Sequence, residues 1–100
     1  MDAIPRRRRI RGRVRSLRRK ARRLAIIARH RSMQELLGLA THDLDEAVVC
    51  LAIEAPPAIE AKERWLQQIE SAVQVASLRL RVADQTLVRR GPNARLIQFR

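Results

Sequence analysis

The 100-residue chain carries 22 Lys/Arg against 10 Asp/Glu, for a net charge of +12, and 46% of it is apolar. That length suits one domain with a modest core, and three Gly, four Pro and only two aromatics, Trp65 and Phe99, favour helix over sheet. The lone Cys50 excludes an intramolecular disulfide, and no run reaches the ~18 apolar residues of a membrane-spanning helix.

A single thiol fits a reducing compartment, so a cytoplasmic location is expected. The charge is concentrated near the start. Residues 6–31, RRRRIRGRVRSLRRKARRLAIIARHR, hold fourteen Lys/Arg and no acid, whereas residues 32–100 hold eight Lys/Arg and nine acids. A cationic quarter on a near-neutral body points to a polyanion, nucleic acid first and an anionic membrane second. The stretch has no apolar signal-peptide core. Its Arg-rich, acid-poor character leaves a mitochondrial transit peptide as a competing reading, though Ser16 is its only serine.

Within this stretch Ile10, Val14, Leu17, Ala21, Leu24 and Ala28 recur at spacings of 4, 3, 4, 3 and 4, which is a helical seam. The spacing predicts a helix from about Arg13 to Arg29. Gly12 and like charges at i,i+4 weaken the preceding turns. Arg6–Arg11 is therefore expected to be frayed when free, and residues 1–12 to form a partly disordered basic arm.

Ser32-Met33-Gln34-Glu35 has the S-x-x-E form of a capping box. It precedes a second seam of Met33, Leu37, Ala40, Leu44, Ala47 and Leu51, predicting a helix from about Met33 to Ile53. Pro56-Pro57 ends it, because a residue before proline avoids the α region. Pro57 also suits the first turn of a third helix, with Glu60 and Glu63 near its positive end. The third seam is Leu66, Ile69, Val73, Ala76, Leu80, Ala83 and Leu87. Arg89 and Arg90 suit the negative end, and Gly91-Pro92 stops the helix. From Ala58 to Arg90 it would be ~50 Å long.

Trp65, Ala72, Val75, Leu78 and Val82 widen the apolar face of this helix. Contact with two neighbours within a bundle is one explanation. The other is contact with another subunit, for which Trp65, Leu78 and Val82 are the candidates. The tail GPNARLIQFR, residues 91–100, reads as a disordered end, an incomplete element or a short docking segment. The expected fold is all-α, a single-domain antiparallel bundle of three long helices, similar to a four-helix bundle and assembling into an oligomer.

Catalytic constellations are missing from the sequence. There is no Tyr, no Gly-rich phosphate loop and no nucleophile motif. His30, His42 and Cys50 lack metal-ligand spacing. Asp43, Asp45 and Glu46 do not share one helix face and read as solvated surface, while Cys50 reads as a small buried side chain. A non-enzyme without metal or cofactor is expected.

Arginine outnumbers lysine thirteen to one in residues 6–31. Its planar fork grips phosphate bidentately, whereas lysine is a point charge. Arg-rich helices suit structured RNA, and the lack of aromatics argues against a stacking platform for single strands. The candidate phosphate contacts are Arg13, Arg15, Arg18, Arg19, Lys20, Arg22 and Arg23, reinforced by Arg6, Arg7, Arg8, Arg9 and Arg11. They would position RNA without reading its sequence. A DNA-binding architectural protein, a ribosomal or other ribonucleoprotein component, a membrane-surface helix, a protein-only scaffold and a solvated or targeting segment are the competing readings. The membrane reading suffers from the absence of Trp or Phe on the basic helix.

The stretches LLGLATHDLDEAVVCLAIEA (36–55) and ERWLQQIESAVQVASLRLRVADQTLV (63–88) resemble the accessory variability determinant proteins of diversity-generating retroelements. The resemblance spans roughly residues 33–90 and lies in helix order. ASLRLRVA (76–83) stands where that family carries an L-R-x-x-x-R-L-A run. Arg81 and Ala83 match, and Ser77 replaces the first arginine. The resemblance implies a basic helical bundle that assembles as a pentamer, binds nucleic acid and partners a reverse transcriptase copying a template RNA. The dense arginines of the first helix and the lack of a complete fourth helix depart from that family.

Overall fold

The computed structural model describes residues 3–53 and 55–96. Their regular structure is entirely helical: α1 (Ala3–Ile27), α2 (Arg31–Ala52) and α3 (Ile59–Arg90). Each helix packs against both others. Moving up α1, Arg6, Arg13 and Lys20 meet Glu63, Gln74 and Asp84 in rising order along α3. On α2 the order reverses, with Arg7 reaching Leu51 and Arg18 reaching Asp45. The chain therefore runs up, down and up, with α2 antiparallel to its neighbours. The bundle measures 48 × 29 × 18 Å.

The three seams form the core. Every seam position of α2 and α3 is buried, as are Ile10, Val14, Ala21, Leu24 and Ala28 of α1, while Leu17 packs partly buried against them. Leucines alternate with alanines along much of α2 and α3, so large side chains have small neighbours to settle over. No buried residue is polar or charged among those described.

The helix limits differ from the sequence expectation in informative ways. α1 begins at Ala3, not near Arg13, and stops at Ile27. An isolated helix headed by Arg6–Arg9 would place cations at its positive end, which is unfavourable. Tertiary contacts reverse this. Arg6 pairs with Glu63 and Glu70, and Ile10 is only 6% exposed. The expected partly disordered arm, residues 1–12, is thus helical from Ala3 through Gly12, and Met1 and Asp2 lie outside the described residues.

The capping box is also replaced. α2 starts at Arg31 with His30 as its N-cap, whose side chain accepts a hydrogen bond from the Ser32 N–H. Glu35 pairs with Arg31 at 3.1 Å instead of turning back to Ser32. Ser32 is needed elsewhere: its Oγ accepts from the Leu96 N–H at 2.9 Å. α2 ends at Ala52, and Glu54 in the following break lies outside the described residues. α3 starts at Ile59 behind an Ala58 cap, so Pro57 precedes the helix and does not sit in its first turn.

Beyond α3 the chain folds back. Gly91 adopts φ 86°, and its N–H closes onto the Leu87 carbonyl at 2.8 Å. The Arg29 N–H donates to the Pro92 carbonyl at 2.9 Å, and Ala94 is 5% exposed. As far as Leu96 the tail lies against the bundle; Ile97 and Phe99 lie outside the described residues.

Two glycines should respond oppositely to alanine. A Cβ on Gly12 meets nothing within 4 Å, and its φ is not positive. Gly12→Ala is therefore expected to stabilise the fold by ~0.5–1 kcal/mol through helix propensity. Gly91→Ala should destabilise it by ~1–3 kcal/mol, because its backbone conformation (φ 86°, ψ −175°) belongs almost exclusively to glycine. Urea unfolding of both variants checks the two signs; Gly12→Ala unfolding earlier than wild type would mean that α1 does not persist through residue 12.

Candidate nucleic-acid interface

The arginines of α1 divide by helix face. Those flanking the seam are drawn into internal contacts. Arg6 is held by Glu63 at 2.8 Å and by Glu70. Arg7 donates to the Leu51 carbonyl at 2.9 Å and lies 5.4 Å from the centre of the Trp65 ring, a cation–π distance. It thereby supplies a donor to one of the carbonyls left open at the end of α2. Arg11 reaches the same carbonyl at 3.3 Å, and Arg13 donates to Gln74 Oε1 at 2.8 Å. Arg18 and Lys20 pair with Asp45 and Asp84 at 3.3 and 3.1 Å.

The opposite face is uncommitted. Among the described residues Arg8, Arg9, Arg15, Arg19, Arg22 and Arg23 are exposed, with no side-chain hydrogen bond or ion pair recorded for them. Arg8, Arg15, Arg19 and Arg22 follow spacings of 7, 4 and 3, so they form one stripe. From Arg8 to Arg22 it spans ~21 Å of helix.

Beside this stripe, α1 and the end of α2 enclose a groove of about 360 Å³. Arg11, Arg15, Arg18, Arg19 and Arg22 surround it, over Val14, Val48, Leu51 and Ala52. No acid lines it, although Asp45 holds Arg18 from one side. That pair is 37% and 51% exposed. A pair so open to water contributes only ~0–1 kcal/mol, and an incoming phosphate can displace Asp45. The structure thus gathers five of the predicted contacts in one place. Arg9 is directed to a different cleft, lined by Arg6, Arg13 and Glu70.

The sequence reading missed the groove's apolar floor. Val48 lies off the α2 seam and is 37% exposed, so nothing in its local pattern marks it. Of the α2 acids, Asp45 and Glu46 are exposed, as a solvated surface requires, and pair there with Arg18 and His42, whereas Asp43 is partly buried against Arg79. Cys50 is half-buried against the core. Of the three candidate contact residues, Trp65 packs under Arg7, whereas Leu78 and Val82 are both 47% exposed on the outer face of α3 beside Val75. They do not form one patch with Trp65.

The internal contacts at the start of α1 have a pH signature. Hydrogen bonding to Arg6 holds the Glu63 carboxyl below its ordinary value of 4.5, and the same bonds raise Arg6 above its ordinary range. A lowered acid stabilises the folded state above its unfolded pKa and ceases to do so as pH falls through the folded one. Stability is therefore expected to decline as pH drops below about 4.5, and Glu63→Gln should flatten that part of the curve. Urea midpoints measured from pH 6 to 3 test this. An unchanged slope in the variant would show that the pair does not act in solution.

Among the described residues no His, Cys, Asp or Glu group is placed to hold a metal ion, and no helix is long and apolar enough to cross a membrane. Searches of protein-family models, curated proteins and solved structures find no match to this chain.

Proposed function

We propose that this protein is a non-catalytic accessory subunit that binds structured RNA through the arginine face of α1. The five-arginine groove is the observation that carries this reading, because it concentrates forked cations where no carboxylate lines the wall. Each fork can take two phosphate oxygens, and the apolar floor lets the backbone or a splayed base approach closely. Binding is electrostatic and positional. With six uncommitted arginines the affinity should fall with salt at a log–log slope near −4 to −5, at ~0.7–0.9 per phosphate.

The cellular role we propose is assistance to a reverse transcriptase in a diversity-generating retroelement. Helix order over residues 33–90 supports it. Self-association completes the proposal, with Val75, Leu78 and Val82 covered by another copy. The test is a native pull-down read by RNA sequencing and mass spectrometry. A reverse transcriptase with one template-like RNA is the expected recovery. Ribosomal RNA alone would replace the retroelement role with a ribonucleoprotein one, and the absence of any RNA near physiological salt would remove the RNA reading.

A further inference from the structure

A second cationic cleft lies at the far end of α3. The refolded tail closes it: Val82, Gln85, Thr86, Arg89 and Arg90 of α3 face Arg95 and Leu96 across about 270 Å³. Its three arginines come from two separate segments. Gly91 turns the chain, Ala94 anchors it, and the Leu96–Ser32 bond fixes its end. Arg89 and Arg90 are exposed on the last turn of α3 and Arg95 on the returning strand of chain. No carboxylate lines the cleft, and no ion pair is recorded for these three among the described residues.

The simplest account is that Arg89 and Arg90 complement the negative end of the helix dipole. Magnitudes argue against that as their whole purpose. The dipole end is worth about half a negative charge, and three guanidiniums exceed it several-fold. Arg95 is not on the helix, yet the tail's hydrogen bonds bring it to the same cleft. Three close cations without a counter-charge repel one another, and a phosphate group removes that repulsion.

We infer that the Arg89–Arg90–Arg95 cleft is a second phosphate-binding site, which takes a separate stretch of the nucleic-acid backbone bound at α1. The use of that backbone rests on the RNA reading above; the phosphate site itself does not. The two sites belong to different elements, α1 with α2 and α3 with the tail. One chain thus holds two points of a folded polynucleotide and favours RNA whose backbone returns on itself over an extended strand.

The experiment has two arms. In the first, inorganic tripolyphosphate is titrated into the full chain and followed by amide NMR. The Gln85, Thr86, Arg95 and Leu96 signals are expected to shift saturably. Arg89→Gln/Arg95→Gln should abolish those shifts and spare the ones at Arg15 and Arg19. Shifts no larger than those around the exposed Arg64 and Arg81, or shifts unchanged in the double variant, overturn the site. In the second arm, structured RNA binding is measured against salt. Arg89→Gln/Arg95→Gln should lower the slope by about 2, and the charge-matched Arg64→Gln/Arg81→Gln should leave it unchanged. Equal slopes in the two variants overturn the two-point grip. A protein that takes tripolyphosphate in the cleft but binds no RNA keeps the phosphate site and loses the RNA reading, so the two failures are distinguishable.

Discussion

Replacing Arg15, Arg19 and Arg22 together by glutamine is expected to weaken structured-RNA binding about 1000-fold near physiological salt. These three line the groove, are exposed and have no recorded partner among the described residues. At ~1.5 kcal/mol for each charge-assisted contact, their loss amounts to roughly 4.5 kcal/mol, or about three decades in affinity. The salt slope should drop by about 2 to 2.7, at ~0.7–0.9 per contact. Folding should be untouched or slightly improved, because glutamine is a good helix former and the Arg15–Arg19 and Arg18–Arg22 repulsions disappear. That combination separates a binding site from a structural one. Filter binding or fluorescence anisotropy over a salt series, with circular dichroism as the control, makes the measurement. Arg→Lys at the same positions keeps charge and removes the fork, so it should recover only part of the affinity. Retention of wild-type affinity in the glutamine triple variant would sink the groove as the RNA site.

The same physics sets how α1 behaves without a partner. Among the described residues its first turn carries no acid and its last turn no base, so neither turn offsets the dipole. Glu63, Glu70, Asp45 and Asp84 offset part of the charge on the packed side. The outer stripe has no such neighbours, and mutual repulsion there destabilises the free helix. A polyanion that binds the folded bundle relieves this and adds binding free energy to stability. RNA should therefore raise the unfolding temperature, and high salt should do so in its absence by screening.

The seams were legible because a helix in a bundle repeats its buried face every three or four residues. Met33 to Leu51 and Leu66 to Leu87 were read position by position, and each of those seam residues is buried. The division of labour among the arginines was not legible. Arg6 meets Glu70 across 64 residues, Arg13 meets Gln74 across 61, and Arg7 meets Leu51 across 44. Nothing local distinguishes Arg7, clamped beneath α2, from Arg8, exposed beside it. The start of α1 was hidden for a related reason, while those of α2 and α3 fall within two residues of their expected places. The frayed reading of Arg6–Arg11 weighs repulsion within one helix, while burial of Ile10, with the α3 carboxylates around Arg6, favours the helix. The capping box at Ser32 was a sound local pattern, displaced when His30 took the cap and the tail took the serine hydroxyl.

Leu80→Ala is expected to cost ~3–4 kcal/mol, whereas Leu78→Ala, two residues away, should cost under ~1 kcal/mol in the monomer. Leu80 has no exposed surface and sits mid-seam in α3 between Ala76 and Ala83. Neighbouring alanines cannot extend to fill the space left by its side chain, so the cavity term adds to the lost transfer free energy, and such sites fall in the ~2.7–5 kcal/mol range. Against a total stability of ~5–15 kcal/mol for a domain of ordinary stability, that is a large fraction. Leu78 is 47% exposed on the outer face of α3 with Val75 and Val82, and truncating it removes little buried area. Its effect should appear in another observable. If this stripe is where copies meet, Leu78→Ala shifts light scattering toward the monomer while leaving the urea midpoint of the dilute protein nearly unchanged. Urea unfolding gives the first quantity, with similar m-values showing that both variants start from the same compact state. A loss below ~1 kcal/mol for Leu80→Ala would mean that the α3 seam is not the core, and with it the up-down-up packing that places the groove beside α1 would fall.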